Sequence, residues 1–359
     1  MSRTRVAVVG CGHLGTIHAR LLAARADAEL VAVVDPVGES RARVAAAHGC
    51  RPFAEPRELV GVADAVVVAA PTCLHADVSL PLLEAGLHLL VEKPIATTPE
   101  EARRIEAAAA RHGRVVAVGH VERFNPAWRM ATERCGGVVA VESHRLAPFT
   151  FRSLDVGVVL DLMIHDIDLV LSLDPGELVA VEARGVRASG GHEDAVRARL
   201  SFASGLVADL AASRIHPTLR RTTTLWGAEA LVAADFNART VEVVGASPDV
   251  RSGRFVAADV PAAERAGLKD RFFADVLPRE SLAVPEANAI ACEHDDFLAA
   301  VRSGGRPLVT AAAGTAALVV AGRVLESLSC IRLGQGGTRV SIPLPVPVDA
   351  PTTPRRKSA

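Results

Sequence analysis

The sequence has no tyrosine and very little lysine. Without tyrosine, no phenol can act as an acid or base or stack on a sugar ring. Among 40 lysine and arginine residues, only Lys93, Lys269 and Lys357 are lysines. A lysine ammonium can change its protonation with its surroundings, whereas a guanidinium stays charged. Lys93, in the run Leu90-Val91-Glu92-Lys93-Pro94, is therefore a candidate for proton handling; a surface lysine present by chance is the alternative.

An excess of one charge sign is also missing, since the net charge is -1 with 23% charged residues. This balance lacks the basic surplus typical of nucleic-acid-binding proteins, so we expect no nucleic-acid partner. The cysteines form no C-x-x-C pair, which argues against a zinc knuckle, a redox dithiol and a secreted disulfide framework. The six cysteines are Cys11, Cys50, Cys73, Cys135, Cys292 and Cys330.

Long hydrophobic runs are missing as well. The first apolar stretch, residues 6–9, is too short for a signal-peptide core or a membrane span. We therefore expect no membrane partner and a cytoplasmic location.

The chain of 359 residues is long enough for two domains. Continuous apolar strands alternate with helix-length segments at first, as in a parallel sheet covered on both faces. The strands are predicted at 6–9, 30–34, 65–69, 88–91 and 115–118. Longer alternating strands follow, at 178–188, 194–202 and 206–213, with helices at 157–171, 286–303 and 311–329.

This pattern predicts an α/β fold. Residues 1–121 would form a Rossmann domain with a doubly wound parallel sheet. Residues 122–342 would form an α+β domain with a large, mostly antiparallel open sheet, whose free face could pack against a second copy. Residues 343–359, rich in proline, would form a mobile tail.

The first strand leads into a G-x-G-x-x-G motif and then into a helical stretch. In such a motif the glycines allow a tight turn, close approach of a pyrophosphate and close packing of the helix. The helix N-terminus adds free N–H donors for the phosphates. The predicted contact residues are Gly10, Cys11, Gly12, His13, Leu14 and Gly15.

Asp35 ends the second predicted strand, where a carboxylate can accept hydrogen bonds from the adenosine ribose hydroxyls. A 2′-phosphate would be repelled there, and the nearest arginines are Arg41 and Arg43. This favours NAD over NADP as the cofactor.

Two further strands end in polar residues on the same side of the sheet. Ligands bind at the carboxyl ends of parallel strands, so these residues are predicted to contact the cofactor. A helix start with Thr72 as its cap fits part of the set equally well. The residues are Pro71, Thr72, His75, Glu92 and Lys93.

The predicted helix 157–171 carries Asp161, His165 and Asp168 on one face, since residues three and four apart are neighbours on a helix. Its other positions are mostly apolar, so the polar groups would be costly to bury unless paired or functional. A satisfied polar network and a metal site are alternatives. No other Asp/His cluster with ligand spacing accompanies the face, so we expect no metal.

These motifs together resemble the glucose-fructose oxidoreductase/inositol dehydrogenase family, also called Gfo/Idh/MocA. The resemblance rests on the glycine motif followed by His18, the strand ending Glu92-Lys93-Pro94, the segment Gly119–Pro126 and a D-x-x-x-H-x-x-D helix. It extends from residue 5 to about residue 340.

The resemblance implies an NAD-dependent dehydrogenase in which Lys93, Asp161 and His165 form the catalytic set. His165 would take the proton of a secondary alcohol, and Lys93 would stabilise the charge on its oxygen. The amino-acid sequences of these segments most resemble those of family members that oxidise UDP-N-acetylhexosamines at the sugar 3-hydroxyl. Substrate would be bound by Arg123, Asn125, Arg152, Asp161 and His165.

Three alternatives stay open. The first is an inositol or free-sugar dehydrogenase, and the second is an NAD-binding redox-sensing module without catalysis. In the third, Arg123, Arg145 and Arg152 are ordinary salt-bridge arginines and not ligands of a diphosphate. The resemblance also implies a homodimer or homotetramer.

Overall fold

The structure is a computed structural model that describes residues 3–151, 156–334 and 346–347. The first 119 residues alternate strands and helices, as predicted. In chain order they are β1 (Thr4–Val9), α1 (His13–Ala23), β2 (Ala28–Val34), α2 (Gly38–His48), β3 (Arg51–Phe53), β4 (Ala65–Val68), α3 (His75–Glu84), β5 (His88–Glu92), α4 (Pro99–His112) and β6 (Val116–Gly119). Short 3-10 helices cover Pro56–Leu59, Thr72–Leu74 and Val121–Phe124.

The six strands form one parallel sheet in the order β3-β2-β1-β4-β5-β6. The chain winds outward from β1 in both directions, which confirms the doubly wound fold. Because helices cover both faces, strands such as β4 are buried at every residue. All six strands therefore end at one edge of the sheet, where the motifs lie.

The second part of the chain mixes helices with longer strands. Its elements are α5 (Pro126–Cys135), β7 (Val138–Leu146), α6 (Ile164–Leu171), β8 (Leu178–Arg187), β9 (Ala195–Phe202), β10 (Val207–Ser213), β11 (Arg220–Gly227), β12 (Ala230–Asp235), β13 (Thr240–Gly245), α7 (Pro248–Arg251), α8 (Ala262–Arg271), β14 (Arg279–Ala283), α9 (Ala289–Ser303), α10 (Ala311–Ser327), β15 (Leu328–Arg332) and β16 (Val346–Pro347). Two π-helical segments cover Val159–Met163 and Phe272–Val276, and a 3-10 helix covers Ala257–Asp259.

These strands form a second sheet in the order β14-β13-β12-β11-β7-β10-β9-β8-β15, with β16 paired to β8. Among the described strands of this second sheet, only the β7–β10 and β8–β15 pairs are parallel. A large, mostly antiparallel sheet is thus confirmed. The predicted hairpin at residues 203–205 joins β9 to β10, where the Phe202 N–H donates to the Leu206 carbonyl at 2.9 Å.

The alternation along β9 shows why this sheet forms. Val196, Ala198 and Leu200 are buried in the core, whereas Arg197 and Arg199 point outward. A period of two with one apolar face is what a sheet packed on one side requires.

The last helices return to the first sheet. Phe297 and Leu298 of α9 share a buried cluster with Val6, Val8 and Leu22 of the first sheet and α1. Before α10, the Val118 N–H of β6 donates to the Val309 carbonyl at 3.0 Å, which covers the outer edge of that sheet. Residues late in the chain thus complete the core around the early strands.

Within the described residues, no helix combines the length and the apolar character that crossing a membrane requires. The predicted division at residues 121 and 342 and the predicted oligomer stay predictions. Most of the predicted tail, 343–359, lies outside the described residues.

Asp194 fastens the loop between β8 and β9 to the end of β10. Its carboxylate accepts from the Ala188 N–H at 2.6 Å, from the Ser189 N–H at 2.8 Å and from Arg214 Nε at 2.7 Å. Burial alone would raise the pKa of Asp194, but the hydrogen bonds from Ser189, Ala188 and Arg214 outweigh it and hold the pKa at about 2.

We expect Asp194→Asn to lower the free energy of unfolding by about 2 kcal/mol or more at pH 7. The pKa of the Asp194 carboxyl is lower in the folded protein than in the unfolded chain. The stabilisation is therefore complete at pH values above the ordinary carboxyl pKa of 3.8 and is lost as the pH falls toward about 2. Urea unfolding of both proteins at pH 7 and pH 3 measures this. Asp209→Asn is the control, because Asp209 forms an exposed ion pair with Arg199. Its free energy of unfolding should stay within about 0.5 kcal/mol of that of the parent protein. An unchanged difference at pH 3 contradicts the interpretation.

Candidate active site

The glycine turn after β1 has the geometry that its sequence predicts. Gly10 has φ +97, and a Cβ there would lie 2.5 Å from the Ala69 carbonyl oxygen. A Cβ on Gly15 would lie 1.7 Å from the Gly10 carbonyl oxygen, so helix α1 packs directly on the turn. No described atom lies within 4 Å of a Cβ built on Gly12. The turn is closed at Gly10 and Gly15 and open at Gly12, as approach of a pyrophosphate requires.

Helix α1 begins at this opening. Its N-cap is Gly12, and no described side chain caps it. The Thr16 N–H is the first to donate within the helix, to the Gly12 carbonyl at 3.0 Å. The N–H groups of His13, Leu14 and Gly15 are those that a helix N-terminus leaves for an anion. The turn and the helix together fit the phosphates of a dinucleotide.

Asp35 stands at the end of β2 beside the glycine turn. Its carboxylate accepts from the Cys11 N–H at 2.7 Å and from the Val37 N–H at 2.8 Å. These bonds hold the carboxylate at the strand end, where the remaining lone pairs can accept from a ribose. Arg41 and Arg43 lie close by, but they donate to the main-chain carbonyls of Asp35 and Cys11, at 3.1 and 3.4 Å.

Pro71, Thr72 and His75 follow β4 at the same edge. The structure places Thr72 in a short 3-10 helix and His75 at the start of α3, without a side-chain cap from Thr72. The His75 ring is buried, with Nδ1 at 2.8 Å from the Pro94 carbonyl and Nε2 at 2.9 Å from the Ala70 carbonyl. His75 thereby ties the end of β4 to the end of β5, and its predicted contact with the cofactor stays a prediction.

Lys93 lies just beyond β5, and its side chain reaches the turn that precedes α6. Its Nζ donates to the Asp161 carbonyl at 2.6 Å and lies 3.3 Å from Asp161 Oδ1. The two side chains are 13% and 26% exposed, so the pair is shielded but still reachable by a small molecule. The structure therefore brings together two of the three predicted catalytic residues. The Lys93–Pro94 peptide bond is cis.

The predicted helix over 157–171 is present, but its first part is not a regular α-helix. Residues Val159–Met163 form a π turn, in which the Ile164 N–H donates to the Val159 carbonyl, and α6 begins only at Ile164. The start of the turn is held from outside, because the Val159 N–H donates to Glu193 Oε1 at 3.1 Å. A carbonyl oxygen has two lone pairs, and the Asp161 carbonyl in this turn accepts from Lys93.

His165 lies on α6, four residues after Asp161. Burial, and then the positive charges of Lys93 and Arg145, set the pKa of His165 well below its ordinary value of 6.5. Within residues 3–151 and 156–334, nothing lies within hydrogen-bond distance of the buried Nδ1 atom. A neutral imidazole is the form that can accept a proton.

The other acids of this helix are paired with arginines. Asp168 accepts two bonds from Arg123, at 2.7 and 3.0 Å. Asp166 accepts two from the buried Arg145, at 3.1 and 2.9 Å, and Arg145 also donates to Glu122 at 2.7 Å. Arg145 is 3% exposed and makes all these contacts, as the salt-bridge alternative for this residue predicts. Arg123 also has a structural partner, and its contact with substrate stays a prediction.

Asn125 caps helix α5. Its Oδ1 accepts from the Ala127 N–H at 3.0 Å, and its Nδ2 donates to Glu122 Oε2 at 3.0 Å. These contacts hold the segment after β6, while a contact with substrate stays a prediction. Arg152 lies outside the described residues.

His120 is a site residue that the sequence did not single out. It follows β6, is 1% exposed, and its ring lies 6.4 Å from the His165 ring, edge to face. Neither ring nitrogen has a hydrogen-bond partner among the described residues. The sequence could have indicated this residue, because His120 follows the carboxyl end of a parallel strand, as Gly10 and Lys93 do.

Comparison with known proteins identifies relatives over nearly the whole chain. The family model for the NAD-binding Rossmann fold of the GFO/IDH/MocA oxidoreductases matches residues 4–120, and the model of the GFO/IDH/MocA C-terminal domain matches residues 108–233.

A UDP-N-acetylglucosamine 3-dehydrogenase from Acidithiobacillus ferrooxidans is 34% identical over 302 residues, which cover 84% of this chain and 90% of that protein. A crystal structure of such an enzyme from that organism superposes with a TM-score of 0.79 at 32% identity, covering 91% of this chain and 98% of the other. A scyllo-inositol 2-dehydrogenase (NAD(+)) from Bacillus subtilis is 28% identical and covers 86% of this chain and 89% of that protein.

Two glycine variants separate binding from folding in the turn. Gly12→Ala adds a methyl group where no described atom is near, so we expect a melting temperature near that of the parent protein and NAD binding weakened at least about tenfold. Gly15→Ala must displace main chain and should lose about 1–3 kcal/mol of stability as well. Thermal melts and calorimetric titration with NAD measure both. Tight NAD binding by Gly12→Ala would refute the assignment.

Proposed function

The chain belongs to the GFO/IDH/MocA family of oxidoreductases, and we propose that it transfers a hydride between a secondary alcohol of a nucleotide sugar and NAD. The observation that carries the proposal is the contact of Lys93 with Asp161 at the edge of the sheet where the glycine turn opens. The His165 ring lies 6.4 Å, between ring centroids, from His120 at the end of β6 on the same edge. An ammonium, a carboxylate and a neutral imidazole are the groups that oxidation of an alcohol uses.

Each residue has a separate task in this proposal. Lys93 donates a hydrogen bond to the alcohol oxygen and stabilises negative charge as it develops there. His165, which is neutral at pH 7, accepts the hydroxyl proton. Asp161 holds the Lys93 ammonium in place and accepts from a neighbouring hydroxyl of the sugar. The nicotinamide, when bound, supplies the acceptor for the hydride.

The cofactor is NAD in preference to NADP. The Asp35 carboxylate is fixed at the ribose end of the site by the Cys11 and Val37 N–H groups, so it cannot swing away from a 2′-phosphate. The guanidinium of Arg41 is occupied by the main-chain carbonyls of Asp35 and Pro36. A fixed negative charge and an occupied arginine disfavour the additional phosphate.

A UDP-N-acetylhexosamine, oxidised at its 3-hydroxyl, is the proposed substrate. The relative that covers most of both chains at 34% identity bears the name of a UDP-N-acetylglucosamine 3-dehydrogenase. Inositol is the second candidate, because a relative of similar coverage is named a scyllo-inositol dehydrogenase. The alternative of a non-catalytic module is dropped, since both relatives are dehydrogenases and the chain is an oxidoreductase.

The substrate proposal is tested by the formation of reduced cofactor. We expect NADH to form with UDP-N-acetylglucosamine and NAD. The kcat/KM for UDP-N-acetylglucosamine should exceed that for myo-inositol at least about tenfold, and it should be at least about tenfold higher with NAD than with NADP. This factor is about 1.4 kcal/mol of transition-state discrimination. Turnover of inositol alone would remove the nucleotide-sugar proposal, and equal use of NADP would remove the role of Asp35.

Lys93→Arg tests the catalytic assignment. The planar guanidinium keeps the charge but cannot occupy the position of Nζ between the Asp161 carbonyl and the alcohol. We expect kcat to fall by at least about a hundredfold while NAD affinity stays within about twofold. Lys269→Arg, on the exposed surface of α8, is the matched control and should keep full activity. A Lys93→Arg protein that retains most of its rate would show that the assignment is wrong.

A further inference from the structure

Four ionisable side chains lie buried together behind the glycine turn. His18 comes from α1, Glu92 from the end of β5, and Glu293 and His294 from α9. Each is at most 9% exposed. None of them belongs to the Lys93–Asp161–His165 set. Burying four ionisable side chains together costs free energy unless their charges are paired or bind an ion.

The cluster is compact and linked. His18 Nε2 lies 2.8 Å from Glu92 Oε1, and His18 Nδ1 lies 2.8 Å from His294 Nε2. One ligand atom each from His18, Glu92 and Glu293 all lie within 4.8 Å of one another. Three donors at that spacing can face a single ion.

Glu293 is the member that the protein does not satisfy. It is 2% exposed, and neither carboxylate oxygen has a hydrogen-bond partner among the described residues. Removing a carboxylate from water without a partner costs several kcal/mol. One of its carboxylate oxygens nevertheless lies within 4.8 Å of a ligand atom of His18 and of Glu92. A carboxylate at this position therefore needs either a cation beside it or a proton on it.

We propose that His18, Glu92 and Glu293 bind a divalent first-row transition-metal ion of the Zn²⁺ type. Two carboxylates and one imidazole are a donor set that Zn²⁺ accepts, and the two negative charges balance the ion. His18 would ligate through Nε2, because its Nδ1 has His294 Nε2 at 2.8 Å as an acceptor. A ligating histidine usually donates its second N–H in this manner.

The ion would fasten three elements that are far apart in sequence. Helix α9 would be joined to α1 and to the end of β5, beneath the residue that carries the catalytic ammonium. The Lys93 N–H donates to Glu92 Oε2 at 3.2 Å, so the ligand and the ammonium share one turn of chain. The metal is structural in this proposal and takes part in no step of hydride transfer.

From the sequence we expect no metal, because only the D-x-x-x-H face of residues 161–165 resembles a ligand set. The ligands proposed here are separated by 74 and 201 positions. Spacing cannot reveal such a site, because only the fold brings the three residues together.

A proton on Glu293 is the rival explanation, and metal binding to the full-length protein separates the two. Elemental analysis of protein purified without chelator should find about one Zn²⁺ per chain, and dialysis against EDTA should lower the melting temperature. Adding back Zn²⁺ should restore it, by at least about 2 °C. Absence of stoichiometric metal together with a melting temperature that neither EDTA nor Zn²⁺ changes would overturn the proposal.

Glu293→Gln then assigns the site. It should bind no Zn²⁺, and its melting temperature should not respond to EDTA or Zn²⁺. Asp295→Asn, on the same helix and with a side chain 64% exposed, should keep the metal and the response. If Glu293 instead carries a proton, glutamine replaces a neutral acid and the variant melts like the parent protein in every condition. That result, or full Zn²⁺ content in Glu293→Gln, contradicts the assignment.

Discussion

The contact between Lys93 and Asp161 is the constraint around which the site is arranged. It joins the end of a parallel strand to the π turn before α6, 68 residues later. A lysine ammonium is strongly hydrated, so holding it in a shielded place needs acceptors at short distance. The main-chain carbonyl of Asp161 supplies the shorter contact, at 2.6 Å, and the carboxylate of the same residue lies 3.3 Å away.

The surroundings keep that contact rigid. Arg145 with Glu122 and Asp166, and Arg123 with Asp168, fix helix α6 against the sheet and the segment after β6. Buried ion pairs of this kind add little net stability, but the loss of one partner leaves an uncompensated charge. Their contribution is orientation, since the helix that carries His165 cannot rotate without breaking them. Preorganised groups of this sort are what a reaction with developing charge requires.

The parts of the fold that depend on neighbouring residues could be predicted from the sequence. The glycine turn, Asp35, the run before Lys93 and the hairpin at 203–205 are each encoded within a few positions. The π turn could not be predicted, because Glu193, which holds its first residue, lies 34 positions away from Val159. The partners of Arg123 and Arg145 were hidden for the same reason. His120 and Glu293 acquire meaning only from the groups that the fold brings near them.

Helices α9 and α10 return to the first sheet, so the early and late parts of the sequence depend on each other for a complete core. Phe297, Leu298 and Val309 complete clusters whose other members come from the early strands. A protein made from only the first 120 codons would lack these side chains and would leave the outer edge of β6 uncovered. A recombined gene that keeps the first sheet stable would therefore have to carry codons from both ends of the sequence.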